Sequence, residues 1–69
     1  MDQNSSTKVV DVFIENHSSV FLFRPVTQLG IDWLTENTDG LWYGDALAVE
    51  HRYAMDLAQG MIDNGLIVK

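Results

Sequence analysis

Residues 42–53 read WYGDALAVEHRY and hold the side chains best suited to chemistry or recognition. Glu50, His51, Arg52 and Tyr53 stand in a row where an apolar run ends and a helix should begin. A histidine there offers a proton shuttle near neutral pH. Arg52 offers a grip on a carboxylate, and Glu50 a partner to orient the imidazole. Strand-to-helix junctions of open α/β sheets are common ligand sites, and helix N-termini attract anions. Local structure accounts for the same residues: Glu50 caps the helix or complements its dipole, and Arg52 pairs with Asp56 one turn on. His51 is then a solvated first-turn residue. Four contiguous side chains point in different directions, so adjacency alone builds no catalytic cluster.

Trp33, Trp42 and Tyr43 flank the acidic Asp39 and Asp45. Aromatics beside carboxylates suit a partner's Arg or Lys. Equally, a short chain needs its tryptophans in the core, with Tyr43 the most exposed of the three. The candidate binding set is Trp42, Tyr43, Asp45, Glu50, His51, Arg52 and Tyr53. No catalytic residue is assigned and no cofactor is expected.

Other chemistries lack their patterns. The His/carboxylate groupings are Glu15-Asn16-His17 and Glu50-His51. Neither has the helical His pair of a zinc site, and no alternating acids form a calcium loop. Ser5, Ser6, Ser18 and Ser19 lack the glycine-flanked elbow of a hydrolase nucleophile. The five glycines are scattered, so no phosphate loop joins a strand to a helix. Asp32 and Glu36 share one helix face, but paired acid/base work needs burial that such a wet face lacks.

Sixty-nine residues allow one domain. Chains this short are marginally stable, and without cysteine there is no disulfide or thiolate site to help. A hydrophobic content of 46% supplies an adequate core. The net charge of -6 disfavours contact with phosphate backbones and anionic membranes. It is compatible with a basic protein partner, and also with solubility alone. No apolar run approaches the roughly 20 residues that span a bilayer, and the start lacks a signal-peptide design. The expected location is cytoplasmic.

The elements that must position these residues follow from periodicity. Residues 1–7 read as a flexible tail and 8–69 as one α/β domain. Residues 8–15 alternate as a strand, with Val10, Val12 and Ile14 on one face and Val9, Asp11, Phe13 and Glu15 on the other. Residues 16–19 turn the chain. Residues 20–23 are apolar on both faces, as in a strand covered on both sides, and Pro25 ends that strand. Thr27 is the N-cap of a helix over 28–36. Leu29 with Trp33 and Ile31 with Leu34 are its apolar pairs, and Gly30 weakens it, standing there either to allow close packing or because the site is exposed.

A loop at 37–40 leads to a short extended piece at 41–43, broken at Gly44-Asp45, and a central strand at 46–49, the two together counted as one strand. Its alanines predict a helix close above. The second helix spans 51–63, with Ala54, Leu57, Ala58, Met61 and Ile62 as its apolar stripe. Gly65 is its left-handed C-cap residue. Residues 66–68 form a last strand parallel to 46–49.

The fold class is therefore α+β, a small α/β sandwich in the order β-β-α-β-α-β, one mixed sheet with two helices. Right-handed crossovers put both helices on one face if the strand order keeps advancing in one direction. The other face then carries Phe13 and one of the two phenylalanine-rich faces of the second strand, an uncovered aromatic surface for a partner or a homodimer.

Several segments resemble a group of small bacterial and prophage-encoded proteins with no assigned activity. They are Ser19-Val20-Phe21, Arg24-Pro25-Val26-Thr27, Asp32-Trp33-Leu34, Trp42-Tyr43-Gly44, the run from Ala46 to Tyr53, Gly60-Met61 and Asn64-Gly65-Leu66. The resemblance covers about two-thirds of the chain and carries no catalytic residue with it. It implies a small cytoplasmic bacterial or phage accessory protein; a phage or mobile-element inhibitor of a host protein fits the interaction-module class. Composition and resemblance together lead to a non-catalytic protein-interaction module. The alternative is a small ligand-binding protein or enzyme using the Glu50-His51-Arg52 junction.

Overall fold

The computed structural model describes residues 9–69, so the tail expected at 1–7 lies outside the described residues. The chain runs β1 (Val12–His17), β2 (Val20–Pro25), α1 (Gln28–Asn37), β3 (Leu41–Tyr43), β4 (Ala46–Glu50) and α2 (His51–Asp63). The strands form an antiparallel sheet in the order β1-β2-β4-β3. It is an α+β fold.

Both hairpins turn on two residues. Ser18-Ser19 joins β1 to β2, so the first strand runs on through Asn16 and His17 rather than stopping at Glu15. At Gly44-Asp45 only the glycine has positive φ, at 60°, the pattern of a type II′ turn that matches strand twist.

Cross-strand partners share a sheet face. Val12, Ile14, Phe21, Phe23, Leu47, Val49 and Trp42 therefore point one way, and Phe13, Glu15, Val20, Leu22, Arg24, Ala48, Leu41 and Tyr43 the other. The helices cover the first set, so Phe21 and Phe23 both face the core, and the expected aromatic face of the second strand carries Val20 and Leu22 instead. Val12, Phe23, Leu34, Leu47 and Met61 are fully buried together there. The helices also meet each other, since a Cβ on Gly60 would stand 3.3 Å from the Trp33 ring.

Three expectations change. β2 is central but covered on one face only, because Val20 and Leu22 lie half-buried on the side without helices. The β4 alanines do not sit under a helix: Leu47 and Val49 do, while Ala46 and Ala48 face the open side. In α1 only Gly30 and Leu34 are buried, and Leu29 and Ile31 are exposed, because a single turn of this helix meets the sheet.

Local signals hold well. Thr27 caps α1 by accepting the Gly30 N–H at 3.1 Å. The α2 stripe buries Ala54 and Met61 and leaves Ile62 outside. Gly65, at φ 87°, ends α2 in a Schellman motif: its N–H donates to Ile62 and the Leu66 N–H to Met61.

That cap turns residues 66–69 back along the sheet. They run parallel to β1, through a Val12–Val68 bridge and the Ile14 N–H bonded to the Lys69 carbonyl at 2.7 Å. The direction matches that of β4, as expected. The neighbour is β1, with β2 and β1 standing between this segment and β4.

Candidate functional site

The main concavity arises because β3 is short. Its pairing with β4 stops at Leu41–Ala48, so the last residues of β4, Val49 and Glu50, continue without β3 beside them. Gly40 draws the preceding loop against β4, where a Cβ would lie 2.6 Å from Leu47 Cδ1. The gap past Leu41 is a cleft of about 730 Å³. Trp33 from α1, Leu41 and Tyr43 from β3, Glu50 from β4, and Tyr53 and Asp56 from α2 line it. It wraps over a strand edge and takes walls from both sheet faces.

The sequence-derived set separates here. Tyr43, Glu50 and Tyr53 line the cleft. Arg52 stands beside it: its Nε donates to Glu50 Oε1 at 3.1 Å, and its guanidinium carbon lies 4.8 Å from the centre of the Tyr53 ring. Arg52 thus turns back to Glu50 rather than on to Asp56. Glu50 occupies the α2 N-cap position without a side-chain cap bond.

His51 faces elsewhere. Its ring lies 4.5 Å from that of Phe21 and lines a smaller apolar groove of about 230 Å³ with Ile14, Phe21, Phe23 and Met55. Glu50, His51 and Arg52 therefore do not converge as an acid–base group. Trp42 points to the helix side, opposite Leu47. Asp45 accepts from Arg24 Nη1 at 2.6 Å, so the chain's own cation already holds it.

Leu41 and Asp56 line the cleft although the sequence did not single them out as binding residues. The signal for Asp56 was its position one turn after Tyr53 on α2. Leu41 carried none, since its role depends on where β3 stops.

The open sheet face has its own polar crossing. Arg24 donates to both Glu15 oxygens at 3.2 Å and to Asp45, and His17 stands 3.1 Å from Glu15. The Arg24 hydrogen bonds, then that to His17, hold the Glu15 carboxyl below its ordinary value of 4.5, while Glu15 raises Arg24. A depressed carboxylate adds stability above its ordinary value and loses it as pH falls through the folded value. Glu15→Gln should therefore melt below wild type at neutral pH, with the gap closing in acid. Thermal melts across that range check this, and a gap that ignores pH would assign Glu15 a packing role. The effect is small, because exposed pairs contribute little.

Among the described residues, no three His, Cys, Asp or Glu side chains come together to hold a metal ion. No described helix is long and apolar enough to cross a membrane. No protein-family model, curated protein or solved structure matches this chain.

What the cleft offers is aromatic faces, an apolar floor and carboxylate acceptors. Its volume falls within the roughly 300–1,000 Å³ of typical ligand sites.

Proposed function

We propose that this chain is a non-catalytic protein-interaction module whose contact region is the cleft and the β3 edge beside it. The observation that carries this reading is β3 itself. Leu41, Trp42 and Tyr43 are 63%, 38% and 59% exposed on an edge strand that borders the cleft. Exposed apolar edges invite pairing and are usually blunted by charge, proline or a covering element. Here the three consecutive strand residues are apolar or aromatic. The net charge of -6 suits a basic partner. A phage or mobile-element accessory role draws its support from the sequence resemblance, and an inhibitory role from the interaction-module reading.

A ligand-binding role draws on the cleft volume. The open strand-edge position and the divergence of His51 from Glu50 and Arg52 favour a macromolecular contact instead.

The test is capture from a lysate of the encoding cells, with wild type beside a Tyr43→Ser/Tyr53→Ala variant of confirmed fold. The module reading predicts a protein retained by wild type and lost by the variant. No retained protein, with light scattering reporting a dimer, would replace the partner by a second copy.

A further inference from the structure

We propose that the cleft receives an arginine side chain from an extended basic segment of the partner, and that Arg52 is the internal guanidinium it displaces. This rests on the interaction-module reading and names the chemistry of its partner.

The cleft pairs ring faces with negative charge. Trp33, Tyr43 and Tyr53 supply aromatic surface, and Glu50 and Asp56 supply carboxylates. A guanidinium is planar, weakly hydrated and able to stack on a ring while bonding a carboxylate. The chain already shows that combination in Arg52, which lies over Tyr53 and donates to Glu50. Both of those partners line the cleft.

The internal arrangement is exchangeable. The Arg52 and Glu50 side chains are 73% and 62% exposed, so solvent screens their attraction. Arg52 also stands in the first turn of α2, where the helix dipole opposes a cation. An incoming arginine with its stem on Leu41 and Tyr43 would bury more apolar surface than Arg52 does, because its stem would enter the cleft. An extended backbone suits the approach, since the cleft follows the edge of β4 past the end of β3.

The test uses the full chain, isotope-labelled, titrated by NMR with a blocked Thr-Val-Arg-Val-Thr peptide. Its comparison is the same peptide with citrulline, a neutral isostere, for arginine. The arginine peptide is expected to shift the Tyr43, Glu50 and Tyr53 amides saturably, and the citrulline peptide to bind about tenfold more weakly. Arg52→Ala should tighten the arginine peptide by about threefold or more once the competitor is gone. Lys69→Ala removes the same charge elsewhere and should not. Equal binding of the two peptides would overturn the proposal. So would an Arg52→Ala variant that binds no better than Lys69→Ala, or shifts confined to Phe13 and Leu22 on the open sheet face. If the peptide fails while a captured protein still depends on Tyr43 and Tyr53, the module stands and the arginine site falls. If no protein is captured and light scattering reports a monomer, the module reading itself fails.

Discussion

Replacing Asp11 with alanine should lower stability by about 2–3 kcal/mol, a drop in melting temperature of roughly 10–20 °C for a domain this size. Asp11 is the buried charged residue of the described chain, 8% exposed. One carboxylate oxygen accepts the Thr27 hydroxyl at 2.6 Å, and the other accepts the Ile67 N–H at 2.8 Å. Its backbone carbonyl takes the Val26 N–H, and its own N–H donates to Ile67. One residue thus ties the start of β1 to the α1 cap and to the C-terminal segment. Alanine leaves two donors without their acceptor, and an orphaned donor costs more than a made bond contributes. Asp11→Asn separates charge from geometry. Its amide oxygen still accepts from Ile67 and its NH2 donates to the Thr27 oxygen, so it should lose only about 1 kcal/mol. Circular-dichroism melts decide it. An alanine variant melting with wild type would remove Asp11 as the tie. An asparagine variant as weak as alanine would make the charge itself the requirement.

What the sequence disclosed and what it hid divide along contact distance. The Thr27 cap, the α2 stripe and the Gly65 cap are decided within a few residues, and pattern reads them; the first turn it reads only to within two residues, since Asn16 and His17 belong to β1. Asp11 looked like an ordinary member of an alternating strand face. Its burial depends on Thr27 and on Ile67, which lies 56 positions away. The last segment's direction followed from the helix before it, but its neighbour depended on strand order, which no local pattern encodes. The candidate site falls on the hidden side. Glu50 and Tyr53 both line the cleft, yet Glu50 ends β4 in extended backbone while Tyr53 lies on α2, so no helix-face spacing predicted their meeting. His51 turns to Phe21 because the chain changes from strand to helix geometry at that residue. Arg24's hold on Asp45 spans 21 positions, and it turns a supposed contact residue into part of an internal ion chain.

Gly30→Ala tests the same junction from the helix side, and its expected sign opposes intrinsic propensity. In a helix interior alanine is favoured over glycine by about 1 kcal/mol. Here a Cβ would stand 2.6 Å from the Asp11 carbonyl oxygen and 3.1 Å from Val12 Cγ2. The carbonyl cannot retreat freely, because it accepts the Val26 N–H at 2.8 Å. The Gly30 N–H is itself held by the Thr27 cap. Relief must come from moving α1 off β1, which opens the packing around Leu34 and Phe23. A net loss of about 2 kcal/mol is expected. Gly60→Ala is the internal comparison. Its Cβ would meet only the edge of the half-buried Trp33 ring at 3.3 Å, so the propensity gain should leave it near wild type in a thermal melt. Gly30→Ala melting at or above wild type would mean that α1 does not approach β1 this closely. Residues sharing one junction do not contribute independently. Asp11→Ala and Gly30→Ala together should therefore cost less than their sum, because moving α1 away already weakens the Thr27–Asp11 bond that the first change removes.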